Sequence, residues 1–169
     1  NKILNKKFNK MYDYAYACSD MAGKWIFSNN FKIIRNGFET SKYLYNDNYR
    51  KEIRKKYNIA ENIKVIGHVG RFNVQKNHKF IIDIFSELLL DKTDYKLMLV
   101  GTGELFDKIK KYAIEKKCID YIIFVGDSSE VFKYYSAMDI FLFPSLFEGL
   151  GISAVEAQIS GLPTICSKY

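Results

Sequence analysis

From Ile63 onward the chain alternates short apolar runs with amphipathic stretches. IKVIGHVG (Ile63–Gly70), YKLMLVG (Tyr95–Gly101), YIIFVG (Tyr121–Gly126), IFLF (Ile140–Phe143) and LPTICS (Leu162–Ser167) read as strands. Each is short, rich in β-branched or aromatic residues, and bounded by glycine, proline or polar positions. Between them apolar residues recur at helical spacing. Ile81, Ile84, Phe85 and Leu88 share a stripe within His78–Leu90; Leu105, Ile109 and Tyr112 do so within Glu104–Lys117, with lysines opposite. Ser128 or Ser129 can cap a third helix whose stripe is Val131, Tyr134, Tyr135 and Met138. A fourth starts near Gly151, with Ile152, Val155 and Ile159 in line. Strands this apolar are covered on both faces, so the pattern predicts an α/β fold, a Rossmann-like parallel sheet with helices on both faces.

The front of the chain is less regular. Tyr12–Ser19 predicts a strand, Ser19 or Asp20 starts a short helix to Phe27, and Phe31–Gly37 reads as strand then turn. Phe38–Asn48 is mostly polar and reads as a hinge or linker. Tyr49–Ile59 reads as a helix whose charges face water. The parts are therefore 1–37, a linker and first helix over 38–62, and the α/β domain over 63–169.

Ligands of parallel sheets bind at the carboxyl ends of the strands. The loops there are Gly70–Asn77, Gly101–Glu104, Gly126–Ser129 and Ser145–Gly151, and all contain glycine. Glu148 lies in the last loop and Glu156 on the helix after it, at the edge of the apolar stripe, where a carboxylate is costly unless hydrogen-bonded. Eight helical residues span ~12 Å, a reach that suits a ligand with hydroxyls at both ends. The amides of Gly149, Leu150 and Gly151 open the helix and can seat a phosphate between them. A buried glutamate satisfied by backbone, with Glu148 solvated, fits the spacing as well. After the first strand Arg71 and Lys76 supply a guanidinium fork and an ammonium, able to hold a diphosphate without metal. Gly101-Thr102-Gly103 lacks the third glycine of a dinucleotide fingerprint and reads as close strand–helix packing. His68 reads as a satisfied core histidine, His78 as a solvated one at a helix start, and Cys118 and Cys166 as small apolar fillers.

Composition narrows the options. The 169 residues suffice for one domain with a proper core. Three widely spaced cysteines form no disulfide framework, which suggests a reducing compartment, the cytoplasm. No metal-ligand spacing, DxD pair, Walker A or GxSxG sequence occurs. No apolar run is long enough to span a bilayer. The amino end is not a signal peptide, and the missing initiator Met suggests a piece of a longer chain. Residues 1–60 carry 13 Lys/Arg against 5 Asp/Glu, whereas residues 61–169 carry 13 against 14. The basic front reads mainly as solvated helix faces; a peripheral contact with anionic lipid stays open, and no nucleic-acid-binding motif accompanies it.

Taken together, ACSDMAGKWIF…KIIRNGF, GHVGRFNVQKNH, LVGTGE, IIFVGD and YYSAMDIFLFPSLFEGLGISAVEAQISGLPTICS resemble the group 1 (family 4) glycosyltransferases of the GT-B fold, of bacterial exopolysaccharide and capsule type. The resemblance runs from about Ala17 to the end, and the ordered set carries it. It implies retaining transfer of a sugar from a nucleotide diphosphate sugar by a hexosyltransferase-type enzyme. Arg71 and Lys76 would hold the diphosphate and stabilise it as it leaves, with Gly70 ending the strand beneath. Glu148 would hold donor-sugar hydroxyls, Glu156 the ribose hydroxyls, and the amides of Gly149, Leu150 and Gly151 the phosphate. Val125, Gly126 and Asp127 would border the base. No metal or other cofactor would be needed. Asn77 follows Lys76 where many members have glycine.

The same resemblance makes residues 1–37 the tail of an acceptor-side domain, with the acceptor site and closing helices missing. The expected fragment binds nucleotide sugar weakly and transfers nothing alone; a glycan or lipid-linked acceptor would be met through the missing domain. The alternatives are another GT-B enzyme, such as a nucleotide-sugar epimerase, and a non-catalytic flavodoxin-like nucleotide-binding module.

Overall fold

The computed structural model describes residues 12–168. The chain falls into two compact units: residues up to Glu39 together with Glu148–Gly151, and Thr40–Phe147 together with the residues from Ile152 on.

In the smaller unit, β1 (Tyr16–Ala17) pairs in parallel with β2 (Lys32–Ile33), and α1 (Asp20–Phe27) connects them. The Ser19 hydroxyl accepts from the Ala22 amide at 3.1 Å and so caps α1. It also donates to the Gly149 carbonyl at 2.5 Å, which ties the Glu148–Gly151 segment to this unit. Gly23 is required by packing, since a Cβ there would lie 2.1 Å from the Phe31 ring.

The larger unit contains α2 (Thr40–Tyr43), α3 (Asp47–Lys56), β3 (Lys64–Val69), α4 (His78–Asp91), β4 (Tyr95–Val100), α5 (Phe106–Glu115), β5 (Ile122–Gly126), α6 (Val131–Ala137), β6 (Ile140–Phe143), α7 (Ile152–Ile159) and β7 (Thr164–Cys166). All five strands are parallel, in the order β5-β4-β3-β6-β7. Alternate residues feed two cores. Val65, Val69, Met98, Val100, Phe141 and Phe143 pack with α3, α6 and α7. Ile66, Leu97, Leu99 and Leu142 pack with α4 and α5 on the opposite face. The α/β reading with helices on both faces therefore holds. The chain leaves β3 toward β4 on one side and returns through β6 on the other. That reversal is a topological switch point, where open parallel sheets bind ligands.

Several local expectations change. Two helices, α2 and α3, occupy the stretch whose polarity suggests a linker and solvated charges. Arg50 and Arg54 of α3 are not solvated. Arg50 donates to the Ser136, Ala137 and Met138 carbonyls and to Asp139. Arg54, only 6% exposed, donates to the Ala60 and Ile63 carbonyls, both at 2.6 Å, and to Ala137 and Asp139. Asp139 in turn accepts the Val65 amide at 2.7 Å. The pair thus satisfies the carbonyls that end α6 and links α3 to the starts of β3 and β6.

On α7 the buried face is Ser153, Ala154 and Ala157, while Ile152 is exposed. Small side chains let this helix sit close to the Phe141–Phe143 face of the sheet. Ile82 joins Ile81 and Phe85 in the buried face of α4. Glu130 stands at the N-cap of α6 without a side-chain cap hydrogen bond, and the Ser128 hydroxyl, two positions earlier, accepts from the Glu130 amide. Cys118 is a buried filler as expected, but Cys166 is exposed on the edge strand β7.

Removing Arg54 strands several buried acceptors together with Asp139. Arg54→Ala is expected to lose about 3–5 kcal/mol of unfolding free energy, the usual cost of breaking a buried pair from one side. Urea unfolding followed by circular dichroism measures it, and a loss below ~1 kcal/mol would show that α3 is not held by this contact.

Candidate active site

The carboxyl ends of β3, β4 and β5 form a cleft of about 450 Å³, lined by Gly70, Arg71, Gly101–Gly103, Asp127, Ser128 and Val131, with Val69 and Val100 at its floor. Backbone contact builds it. The Gly70 amide donates to Val100 O (3.0 Å), Phe72 N to Thr102 O (2.9 Å) and Leu105 N to Phe72 O (2.9 Å). The two loops run so close that a Cβ at Gly101 would lie 2.3 Å from Gly70 O, and one at Gly103 would lie 2.5 Å from Phe72 O. Both glycines also have positive φ, 130° and 156°. The Gly-Thr-Gly turn therefore serves loop-on-loop packing rather than the strand–helix packing expected of it.

Arg71 projects from this zipped backbone. Its Nε lies 3.6 Å from Glu104 Oε2, and both side chains are largely exposed, 73% and 56%. Such a pair is worth about 0–1 kcal/mol. A diphosphate can therefore take the guanidinium from Glu104 at little cost.

Lys76 follows in the same loop, two residues before α4. Its stem crosses Gly70, where a Cβ would lie 3.1 Å from Lys76 Cδ, and its Nζ lies 4.8 Å from the Phe143 ring centroid. The lysine thus stretches across the ends of β3 and β6, the two strands of the switch point. Asn77 has φ 55°, the left-handed region. Glycine and asparagine tolerate it best, so asparagine suits this position. The loop is fixed from outside as well: Leu146 N donates to Gln75 O (2.8 Å), Gln75 Nε2 to Phe147 O (3.0 Å) and Asn77 Nδ2 to Pro144 O (3.3 Å).

Beneath the loop lie two buried histidines. His68 Nδ1–H donates to the Leu142 carbonyl at 2.8 Å, which leaves Nε2 as a bare acceptor without a partner among the described residues. His78 is 1% exposed and neither ring nitrogen has a partner among the described residues, so it is not the solvated residue its place at a helix start suggests. It stacks on Phe72 at 3.9 Å and meets His68 edge-on at 4.8 Å. Burial above all, with the Lys76 charge adding to it, pushes His68 down to about 4 and His78 to about 2.

Of the remaining sequence candidates, Gly126 ends β5 and its carbonyl accepts the Gly101 amide at 2.8 Å. Val125 packs into the core rather than facing the cleft. Glu156 lies on α7, half-buried, and accepts the Tyr135 hydroxyl at Oε2, 2.7 Å. Glu148, Gly149, Leu150 and Gly151 belong to the smaller unit, and Gly151 has φ 68° just before α7. The structure thus brings Gly70, Arg71 and Asp127 to one cleft, with Lys76 across Gly70, and holds Glu156 on Tyr135. Thr102, Ser128 and Val131 also line the cleft; the sequence placed Thr102 and Ser128 in strand-end loops and Val131 on a helix stripe, without a binding role for any of them. Among the described residues no cluster of three or more His, Cys, Asp or Glu is set for a metal ion, and no helix is long and apolar enough to cross a membrane.

A glycine-tightened cleft with an exposed guanidinium at the carboxyl ends of β3, β4 and β5 is where parallel α/β sheets take ligands. The family model described as "Glycosyl transferases group 1" matches residues 49–169, and the chain belongs to that family. EpsF of Bacillus subtilis, named as a glycosyltransferase, is 31% identical over 157 residues, covering 89% of this chain and 41% of that protein. A protein of the Klebsiella pneumoniae cps region is 27% identical over 161 residues, 91% of this chain and 40% of that one. The crystal structure of Anabaena HepE with UDP and glucose superposes with a TM-score of 0.86 at 20% identity, over 99% of this chain and 47% of that one. The fold is that of the GT-B glycosyltransferases. The chain spans under half the length of these relatives.

Two outcomes test this construction. Gly101→Ala forces a side chain onto Gly70 O at a strained φ and should cost at least about 1–3 kcal/mol, read by thermal unfolding; an unchanged melting temperature would mean the loops are not in contact. Stability should also depend on acid. Both histidines are neutral when folded and protonate near 6.5 when unfolded, so the unfolded state binds more protons below that pH. Their contribution is fully present above about 6.5 and falls with pH by up to about 1.4 kcal/mol per unit for each histidine. His78→Phe should flatten that slope between pH 6.5 and 4, and an unaltered slope would contradict the burial of His78.

Proposed function

We propose that the chain is the donor-binding part of a retaining, hexosyltransferase-type glycosyltransferase. The whole protein moves a sugar from a nucleotide diphosphate sugar to a glycan or lipid-linked acceptor in surface polysaccharide biosynthesis. The observation that carries this reading is the weakly held Arg71 in the cleft at the carboxyl ends of β3, β4 and β5, with Lys76 drawn across Gly70 beside it. Membership in the group 1 family supports it, as do the relatives EpsF, named as a glycosyltransferase, and the protein of a cps region. HepE was solved with UDP and with UDP-glucose, which favours a nucleoside diphosphate leaving group.

In this reading each group has a chemical task. Arg71 and Lys76 neutralise the diphosphate as the glycosidic bond breaks, when its negative charge rises. Fixed cations aimed at a developing charge lower the barrier most, and losing one such group costs about 10²–10³ in rate. The amides of Gly149, Leu150 and Gly151 meet a phosphate oxygen, and Glu148 takes donor-sugar hydroxyls. Glu156 takes the ribose hydroxyls, and the strand end at Gly126 and Asp127 borders the base. Two side-chain cations do the work a divalent ion does in other transferases, so the reaction needs no metal.

Melting temperature with UDP, GDP and ADP, each with EDTA present, tests the reading. One nucleoside diphosphate should stabilise the chain, by about 2.7 kcal/mol at a hundredfold excess over Kd. Arg71→Ala should abolish the shift while leaving the ligand-free melting temperature within a degree or two, because its ion pair with Glu104 is exposed. Indifference to every nucleoside diphosphate would contradict the proposal.

A further inference from the structure

We propose that Tyr135 is a positioning residue whose buried phenol holds one oxygen of Glu156 and so turns the other toward a ligand's vicinal diol. The inference rests on the donor-binding reading above and adds to it the element that gives Glu156 its aim.

Tyr135 is fully buried. Its ring lies 5.7 Å from that of Phe141 and 6.2 Å from that of Tyr43, so the hydroxyl has little freedom. That hydroxyl donates to Glu156 Oε2 at 2.7 Å, with the Ser153 carbonyl a longer second acceptor at 3.3 Å. Burial, and next the charge of Glu156, push the phenol's pKa upward, so it remains a donor at every working pH. Glu156 Oε1 has no hydrogen-bond partner among the described residues.

The chemistry of the pair is specific. A free glutamate on a helix samples several rotamers, and a diol needs both of its hydroxyls met in one geometry. An arginine or lysine could fix the carboxylate but would neutralise it. A neutral phenol fixes it and leaves its charge for the ligand. Hydrogen bonds to a charged group are worth about 1.5–3 kcal/mol, or about 10–100-fold in affinity. That preference for ribose over a sugar lacking the diol is what Tyr135 would secure.

The test compares a nucleoside diphosphate with its 2′,3′-dideoxy analogue by titration calorimetry on the 169-residue chain. The unmodified chain should prefer the ribose form by about tenfold or more. Tyr135→Phe should cut that preference to within about threefold while the dideoxy affinity stays the same; a change in packing alone would weaken both ligands equally. Tyr135→Met removes the same hydroxyl with a flexible filler and should give the same ratio. In a Glu156→Ala background, Tyr135→Phe should change the ratio no further.

A ribose preference that survives both Tyr135 variants overturns the positioning role and leaves the donor-binding reading standing. Binding without any preference for ribose in the unmodified chain removes the task of Glu156 and the proposal with it. No binding of either ligand overturns the functional reading itself.

Discussion

The cleft exists because two loops approach each other at van der Waals limits across the ends of β3 and β4. Gly101 and Gly103 have no room for a side chain, and three backbone hydrogen bonds join their turn to the Gly70–Phe72 segment. This closure pairs the Gly70 and Phe72 amides and the Phe72 carbonyl and so holds the chain on either side of Arg71. It also seats Phe72 on the buried His78, so the loop carrying the cations has a solid floor. Without that approach, Arg71 would lie on a free surface loop and the strand ends would open.

Charge is used in two opposite ways in the same unit. Arg54 is buried and saturated with carbonyls and Asp139, a part of the framework that exchanges with nothing. Arg71 is exposed and, among the described residues, pairs with Glu104 at a long distance. The first arrangement costs desolvation and repays it with many acceptors; the second costs almost nothing and leaves the guanidinium ready for an anion. Glu156 falls between them. Its partner is a neutral phenol, so it is held without being discharged.

The framework was legible because each element states its period plainly. The apolar runs at Val65–Val69, Leu97–Val100 and Phe141–Phe143 admit only strands buried on both faces, and their order gave the parallel sheet. Arg71 was legible too, as a cation one residue past a strand-ending glycine. What stayed hidden depends on partners distant in sequence. Arg54 sits among lysines and arginines in a helix that looks wholly solvated, and only the carbonyls after α6 show its use. His78 heads a helix, yet Phe72 and His68 cover it. Glu156 was recognised as needing a partner, but nothing in the spacing points to Tyr135, 21 residues earlier. On α7 the large residues drew attention as the core stripe, whereas close packing selected Ser153, Ala154 and Ala157.

The most direct test is a nitrogen-15 amide correlation spectrum of the chain titrated with the nucleoside diphosphate that stabilises it. The account requires shifts concentrated at Gly70–Asn77, Gly101–Gly103, Asp127 and Ser128, with Glu156 moving alongside. Shifts confined to the opposite, amino-terminal ends of the strands, near Lys64, Tyr95 and Ile122, would contradict it.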